Sequence, residues 1–179
     1  MILRTKRLIL RPWCEADAED LYTYASDPEI GLSAGWMPHV SVVDSREFIR
    51  EVLCKPTVFA VCLEDGHPIG NIHLNFETAL RETENECELG YWLGRPFWGQ
   101  GLIPEAASAL LHYAFDTLGV QTVWCGYYEG NNKSRRVQEK LGFMHHHTDA
   151  VPSVDAPEKR KTVYRTYLTK TTWKGTSKP

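Results

Sequence analysis

The chain has 179 residues, 42% of them hydrophobic and 24% charged, with a formal net charge of −3. That length suits one domain with a sizeable core, and the composition is that of a soluble globular protein. The slight negative charge argues against nucleic acid as the main partner, since phosphate-backbone binding needs a basic surface. No apolar run approaches the roughly 20 residues that span a bilayer, and the first seven residues lack the apolar stretch of a secretory signal. Five widely spaced cysteines (Cys14, Cys54, Cys62, Cys87 and Cys125) with no Cys-x-x-Cys pair read as reduced thiols in a cytoplasmic protein.

In chain order, residues 7–11 alternate as a strand, ended by Pro12. Residues 15–26 read as a helix with Ala18, Leu21, Tyr22 and Ala25 on one stripe, stopped by Asp27-Pro28. Residues 31–41 are rich in Gly, Ser and Pro and read as a loop; Trp36 within it either contacts a ligand or plugs a nearby core. Residues 44–53 form a second helix with Phe48, Ile49 and Val52 inward. Strands follow at 58–63 and 69–76, joined by a turn at 64–67, and then a strand at 86–93 after a polar loop. His73, on the second of these, faces a ligand site, the core or solvent. A helix at 102–118 carries Ile103, Ala106, Ala107, Leu110, Leu111, Ala114 and Leu118 at helical spacing and ends at Gly119. Beyond it lie a strand at 122–128, a short helix at 132–141 before Gly142, and strands at 143–149 and 162–169 around a Pro- and charge-rich loop at 151–161. The tail 174–179 is expected to be disordered. Early hairpins followed by alternating strands and helices predict a mixed α/β sheet of about seven strands, in a single domain over 1–173.

The most informative stretch is Glu88-Leu89-Gly90-Tyr91-Trp92-Leu93-Gly94, then Trp98-Gly99-Gln100-Gly101. A strand runs into a Gly-rich turn and a long helix, so backbone N–H groups and a helix N-terminus converge where a phosphate would bind. Gly99-x-Gly101 is not a dinucleotide fingerprint, because Pro104 stands in place of the third glycine; a Rossmann-type oxidoreductase is the weakest reading. Asn131 and Ser134 open the later helix and suit N-capping, but they also sit where a strand hands a ligand to a helix. His145-His146-His147 alternate faces on a strand and lack an acidic or Cys partner at metal spacing, so no metal is expected.

Three stretches, residues 5–12, 88–107 and 131–143, resemble in order and spacing the GCN5-related N-acetyltransferases (GNAT), within them the group typified by enzymes that acetylate ribosomal-protein N-termini. The likeness runs from about Thr5 to Leu168. It implies a mixed, mostly antiparallel sheet flanked by helices, and direct transfer of acetyl from acetyl-CoA to a primary amine, on a protein N-terminus or a small molecule. The family's Gln/Arg-x-x-Gly-x-Gly/Ala signature falls on 98–103; Gly101 matches, while Trp98 and Ile103 depart. The implied cofactor contacts are Tyr91, Trp92, Leu93, Trp98, Gly99, Gln100, Gly101, Leu102 and Ile103, with Asn131 on the pantetheine arm. Glu88 is either the general base or a structural glutamate. Many members carry a tyrosine acid at position 138; here it is Gln138. In the resembled group a serine at the place of Ser134 serves the leaving sulfur, so the resemblance implies that role for Ser134; the alternative is a serine that caps its own helix. Trp36 and His73 are candidates for the acceptor site. The alternative is a catalytically silent acyl-CoA-binding module of the same fold. A monomer or homodimer is expected.

Overall fold

The computed structural model describes residues 1–175. Among them one eight-stranded sheet carries five α-helices. The strands are β1 (Leu3–Arg4), β2 (Ile9–Arg11), β3 (Val58–Cys62), β4 (Pro68–Asn75), β5 (Glu86–Leu93), β6 (Thr122–Tyr128), β7 (Met144–Pro152) and β8 (Arg160–Thr169). Their spatial order is β1-β2-β3-β4-β5-β6-β8-β7. Only β5 and β6 run parallel. The strand beyond the expected seven is β1, whose two residues pair with Ile9 and Leu10 and are too few to show an alternation. β7 and β8 also extend further than expected into the loop between them.

The helices are α1 (Ala18–Ala25), α2 (Pro28–Ala34), α3 (Val42–Phe48), α4 (Leu102–His112) and α5 (Asn132–Leu141). α2 corrects the expected loop. Asp27-Pro28, read as a stop, also starts a helix: the Asp27 side chain accepts from the Glu29 N–H at 2.9 Å, Pro28 fills the first turn, and Gly35 closes it at φ 89°. α3 and α4 each run into a π-helical turn, at Ile49–Leu53 and Tyr113–Thr117. Of the expected disordered tail, residues 176–179 lie outside the described residues, and Gly175 lies against His112. No helix among the described residues is long and apolar enough to cross a membrane.

Both faces of the sheet are covered. On one, α4 buries Leu102, Ile103, Ala106, Ala107, Leu110 and Leu111 against Ile72, Leu74, Leu89 and Leu93. On the other, α1 and the α3 region pack Leu21, Ala25, Ile49 and Leu53 on Trp13, Val58 and Ala60, with Trp36, Phe48 and Trp92 alongside. Each large apolar side chain so buried contributes about 1.5–3 kcal/mol. The alternation of β5 decides its chemistry: Leu89, Tyr91 and Leu93 turn toward α4, and Glu88, Gly90 and Trp92 turn toward the other layer.

The N-terminal segment is tied to the start of α4 by one carboxylate. Glu105 accepts from Thr5 Oγ1 at 2.6 Å, from the Arg7 backbone N–H at 2.8 Å and from Arg7 Nε at 2.7 Å. Arg7 Nη1 also donates to the Gln100 carbonyl at 3.0 Å. Burial alone would raise the Glu105 pKa, but these hydrogen bonds hold it below the ordinary carboxylate value. Its contribution is therefore present above the unfolded pKa and lost as pH falls through the lower folded value. Glu105→Ala is expected to cost about 1–3 kcal/mol at neutral pH, and chemical denaturation should show the gap to wild type closing below about pH 4.

Candidate functional site

β5 and β6 are paired only from Glu86–Thr122 to Glu88–Trp124 and then part. The Leu74 N–H bonds to Thr57 of the β3 side, and the Gly94 N–H bonds to Ile69. By the alternation of an antiparallel ladder, Glu88, Gly90 and Trp92 therefore bond toward β4. The backbone groups of Tyr91 and Leu93 face the opening. A cleft of about 1970 Å³ occupies this gap and runs across both faces of the sheet. Every residue the sequence offered for cofactor, catalysis or acceptor lines it except Gln100, whose side chain folds back to donate to the Pro96 carbonyl at 3.0 Å.

One end of the cleft is a cradle of backbone donors. Gly99 and Gly101 adopt φ 77° and 75°, which a side chain would strain, and a Cβ on Gly99 would meet nothing within 4 Å. α4 has no side-chain N-cap. Among the described residues, the N–H groups of residues 99–103 have no acceptor. An open turn with unsatisfied donors at a helix start fits an anionic phosphate. Trp98, which replaces the polar residue of the expected signature, donates its indole N–H to the Leu93 carbonyl at 2.7 Å, and Lys133 Nζ lies 3.6 Å from its ring centroid. Its side chain pins the turn and leaves the donors open. Leu102 and Ile103 bury their side chains in the core, so only their backbone serves the cradle.

Ser134 enters from α5, and its side chain does not cap that helix. Asn131 is the cap: its Oδ1 accepts from the Ser134 N–H at 3.1 Å. Ser134 Oγ lies 2.9 Å from Tyr91 Oη and accepts from Gln138 Nε2 at 3.2 Å. Gln138 is buried and joins the elements around it. Its Nε2 donates to the Gly126 carbonyl at 3.0 Å, and its Oε1 accepts from Thr166 at 2.7 Å. A tyrosine hydroxyl does stand beside Ser134, but it comes from β5 and not from position 138. Burial raises the Tyr91 pKa well above the ordinary phenol value, which keeps it a hydrogen-bond donor. Nothing in the spacing of the sequence pairs residue 91 with residue 134.

Glu88 is the last β5 residue paired with β6. Its Oε2 accepts from Thr78 Oγ1 at 2.7 Å, and its Oε1 lies 3.4 Å from Arg165 Nη1. Arg165 also holds Asp149 at 3.0 Å. Both holders of Glu88 were missed from the sequence. Arg165 sits on a strand paired with β6 and Thr78 in a polar loop, and neither lies in a motif.

The side of the cleft toward α1, α2 and α3 is aromatic. Trp36 packs edge-on to Trp92 at 6.1 Å and lies 6.5 Å from Phe48, so it both plugs a core and faces the cleft. The Trp92 side chain belongs to this side and not to the cradle side. His73 lies opposite Gly90 on the adjoining strand. Cys87 and Cys125 are buried; burial pushes the Cys87 thiol up to about 12 and raises the Cys125 thiol further from its ordinary value, so neither supplies a thiolate near neutral pH. Among the described residues no group of three His, Cys, Asp or Glu side chains is arranged to hold a metal.

Known proteins match this chain along most of its length. The model of the acetyltransferase (GNAT) domain family matches residues 7–144. A Bacillus subtilis protein provisionally named ribosomal N-acetyltransferase YdaF is 38% identical over 82 residues, 46% of this chain and 43% of that protein. The Escherichia coli enzyme that acetylates an alanine of ribosomal protein uS5 is 26% identical over 137 residues, 76% of this chain and 63% of that protein. The chain thus spans less than two thirds of the length of either relative. A solved acetyltransferase of the GNAT family from Bacillus anthracis superposes with a TM-score of 0.81 at 21% identity, covering 94% of this chain and 98% of that one; at that identity it speaks for the fold.

The roles of Asn131 and Ser134 at the start of α5 separate two neighbouring substitutions. Asn131→Ala should cost about 1 kcal/mol in thermal or denaturant melts, while Ser134→Ala, which leaves the cap in place, should cost less. The reverse order would mean that Ser134 supports the helix end.

Proposed function

Because the chain belongs to the GNAT family of acetyltransferases, we propose that it is an acetyl-CoA-dependent N-acetyltransferase acting directly on a primary amine, within one domain over residues 1–173. The observation that carries the cofactor assignment is the row of unpartnered N–H groups at 99–103 opening onto the gap between β5 and β6. In this reading the cradle holds the CoA pyrophosphate, and the backbone groups left open beyond the last β5–β6 bridge, those of Tyr91 and the N–H of Leu93, take the pantetheine arm. The amide nitrogen of Asn131, left over once its oxygen caps α5, donates to the same arm. Bound acetyl-CoA supplies an already activated acyl group, so the protein contributes mostly positioning.

Glu88, held in place by Thr78 and Arg165, accepts the proton that the amine must lose as the new N–C bond forms. Ser134 donates its hydroxyl hydrogen toward the sulfur as the C–S bond breaks. Tyr91, 2.9 Å behind it, can replace that hydrogen bond from its own hydroxyl. The buried, protonated cysteines favour direct transfer over an acyl-enzyme.

For the acceptor we favour the α-amine of a protein N-terminus. The E. coli relative is named for such an acceptor, and an α-amine with a pKa near 8 is far more often neutral at pH 7–8 than a lysine amine near 10.4.

Two measurements test this reading. Gly101→Val, at a backbone position of φ 75°, should weaken acetyl-CoA binding roughly 10–100-fold by calorimetry, the loss of one or two charge-assisted hydrogen bonds, in a protein whose circular dichroism is unchanged. Undiminished affinity in the folded variant would remove the cradle from the site. Glu88→Gln keeps the Thr78 hydrogen bond and removes the base. Turnover, followed as free thiol released with an amine acceptor, should drop by about 10²–10⁴ at unchanged acetyl-CoA affinity. Wild-type turnover in this variant would return Glu88 to a structural role. Binding without thiol release across a panel of amines would identify a silent acyl-CoA-binding module instead.

A further inference from the structure

A chain of three hydrogen-bonding side chains ends at the acceptor side of the cleft, and its polarity is set at the buried end. Trp13 is buried, and its indole N–H can only donate. It lies 2.9 Å from Asn71 Oδ1, in a residue that is likewise buried. Asn71 must therefore turn its oxygen to Trp13 and its NH₂ to His73, whose Nδ1 lies 3.1 Å from Asn71 Nδ2. An Nδ1 that accepts leaves the imidazole proton on Nε2. Burial, with a smaller contribution from Lys55, holds the His73 pKa at about 4, so the ring stays neutral with that one tautomer.

The Nε2 edge has no partner among the described residues, and His73 lines the cleft. The ring lies over Gly90, where a Cβ would come within 2.5 Å of Nε2 and 2.3 Å of Cε1. Gly90 therefore makes room for the imidazole, since any side chain there would displace the ring. It stands between Glu88 and Trp92 on the same face of β5. Asn75 is the residue directly opposite Glu88 and His73 is opposite Gly90, so His73 and Glu88 are diagonal neighbours, a spacing of about 7–8 Å.

We propose that His73 is the specificity-determining residue of the acceptor site, donating its Nε2–H to an oxygen carried by the acceptor close to its reacting amine, with Trp13 and Asn71 as positioning residues. This inference rests on the N-acetyltransferase reading above. The donor and the carboxylate together match an aminoacyl group, in which one residue offers an amine to Glu88 and its own carbonyl oxygen to His73. A simple alkylamine or polyamine offers nothing to the second group, and leaves a desolvated N–H unpaired.

The experiment compares an alanine-initiated peptide amide with 2-aminobutane, which keeps the amine and methyl branch but lacks the carbonyl. Thiol release should give wild type a clear preference for the peptide in kcat/KM. His73→Phe should lower kcat/KM for the peptide roughly 10–100-fold and leave 2-aminobutane and acetyl-CoA affinity nearly unchanged. Trp13→Phe, which frees Asn71 to flip, should erode the same preference more weakly. An equal loss for both amines would overturn the proposal and place His73 at the acetyl group. An unchanged preference in His73→Phe would overturn it outright.

A second arm does not depend on turnover. Nitrogen-15 spectra of the histidines should show His73 as the Nε2–H tautomer down to about pH 5, and its Hε2 resonance should move downfield when the peptide amide is added with CoA, and not with 2-aminobutane. An Nδ1–H tautomer, or a resonance unmoved by the peptide, contradicts the inference. Absence of thiol release in wild type alongside that shift would instead count against the transferase reading alone.

Discussion

Parallel strands β5 and β6 stay bonded through Glu88 and Trp124 and then separate, and each part of the site depends on how that separation is held open. Backbone groups freed along the two inner edges need partners. Some are met by side chains that act as wedges: Gln138 takes the Gly126 carbonyl and Trp98 takes that of Leu93. Tyr91, Ser134 and Gln138 fill the gap at the α5 side. At the fork itself Arg165, from β8, holds Glu88 at 3.4 Å. The fork thus has its own scaffold, and the groups proposed for chemistry are also among those that keep it apart.

The same fork divides labour between the two faces of the sheet. Toward α4, an apolar core and an uncapped helix start present backbone donors and little else, which suits a ligand recognised by its phosphates. Toward α1, α2 and α3, an aromatic layer with one carboxylate and one neutral imidazole suits a smaller, less charged partner. The period-2 alternation of β5 produces this division from a single stretch: Glu88, Gly90 and Trp92 go one way, and Leu89, Tyr91 and Leu93 the other.

Much of this was legible in the sequence because it is written locally. The alternation of residues 86–93, the Gly-rich turn and the 3.6-residue stripe of α4 each announce themselves within a few residues. β1 was missed because two residues carry no pattern, and α2 because Asp-Pro can end one helix and begin the next. What stayed hidden is non-local. The Tyr91–Ser134 contact joins residues 43 apart, the Arg165–Glu88 pair residues 77 apart, and Trp13–Asn71 residues 58 apart. Such pairs follow from strand order and register, which a single sequence does not display. Gln138 is instructive: by sequence it is a missing tyrosine, whereas in the fold it is a buried hub whose two ends bind three other elements, and a tyrosine hydroxyl reaches the same neighbourhood from β5.

The cradle at 99–103, as the place where acetyl-CoA is anchored, is the claim on which the other assignments rest. The most direct measurement is a backbone-amide NMR titration with acetyl-CoA. The amides of Gly99, Gln100, Gly101, Leu102 and Ile103 should shift downfield together, as N–H groups that gain an anionic acceptor do, with smaller changes at Tyr91 and Leu93. Saturating binding that moves resonances elsewhere and leaves residues 99–103 in place would contradict it.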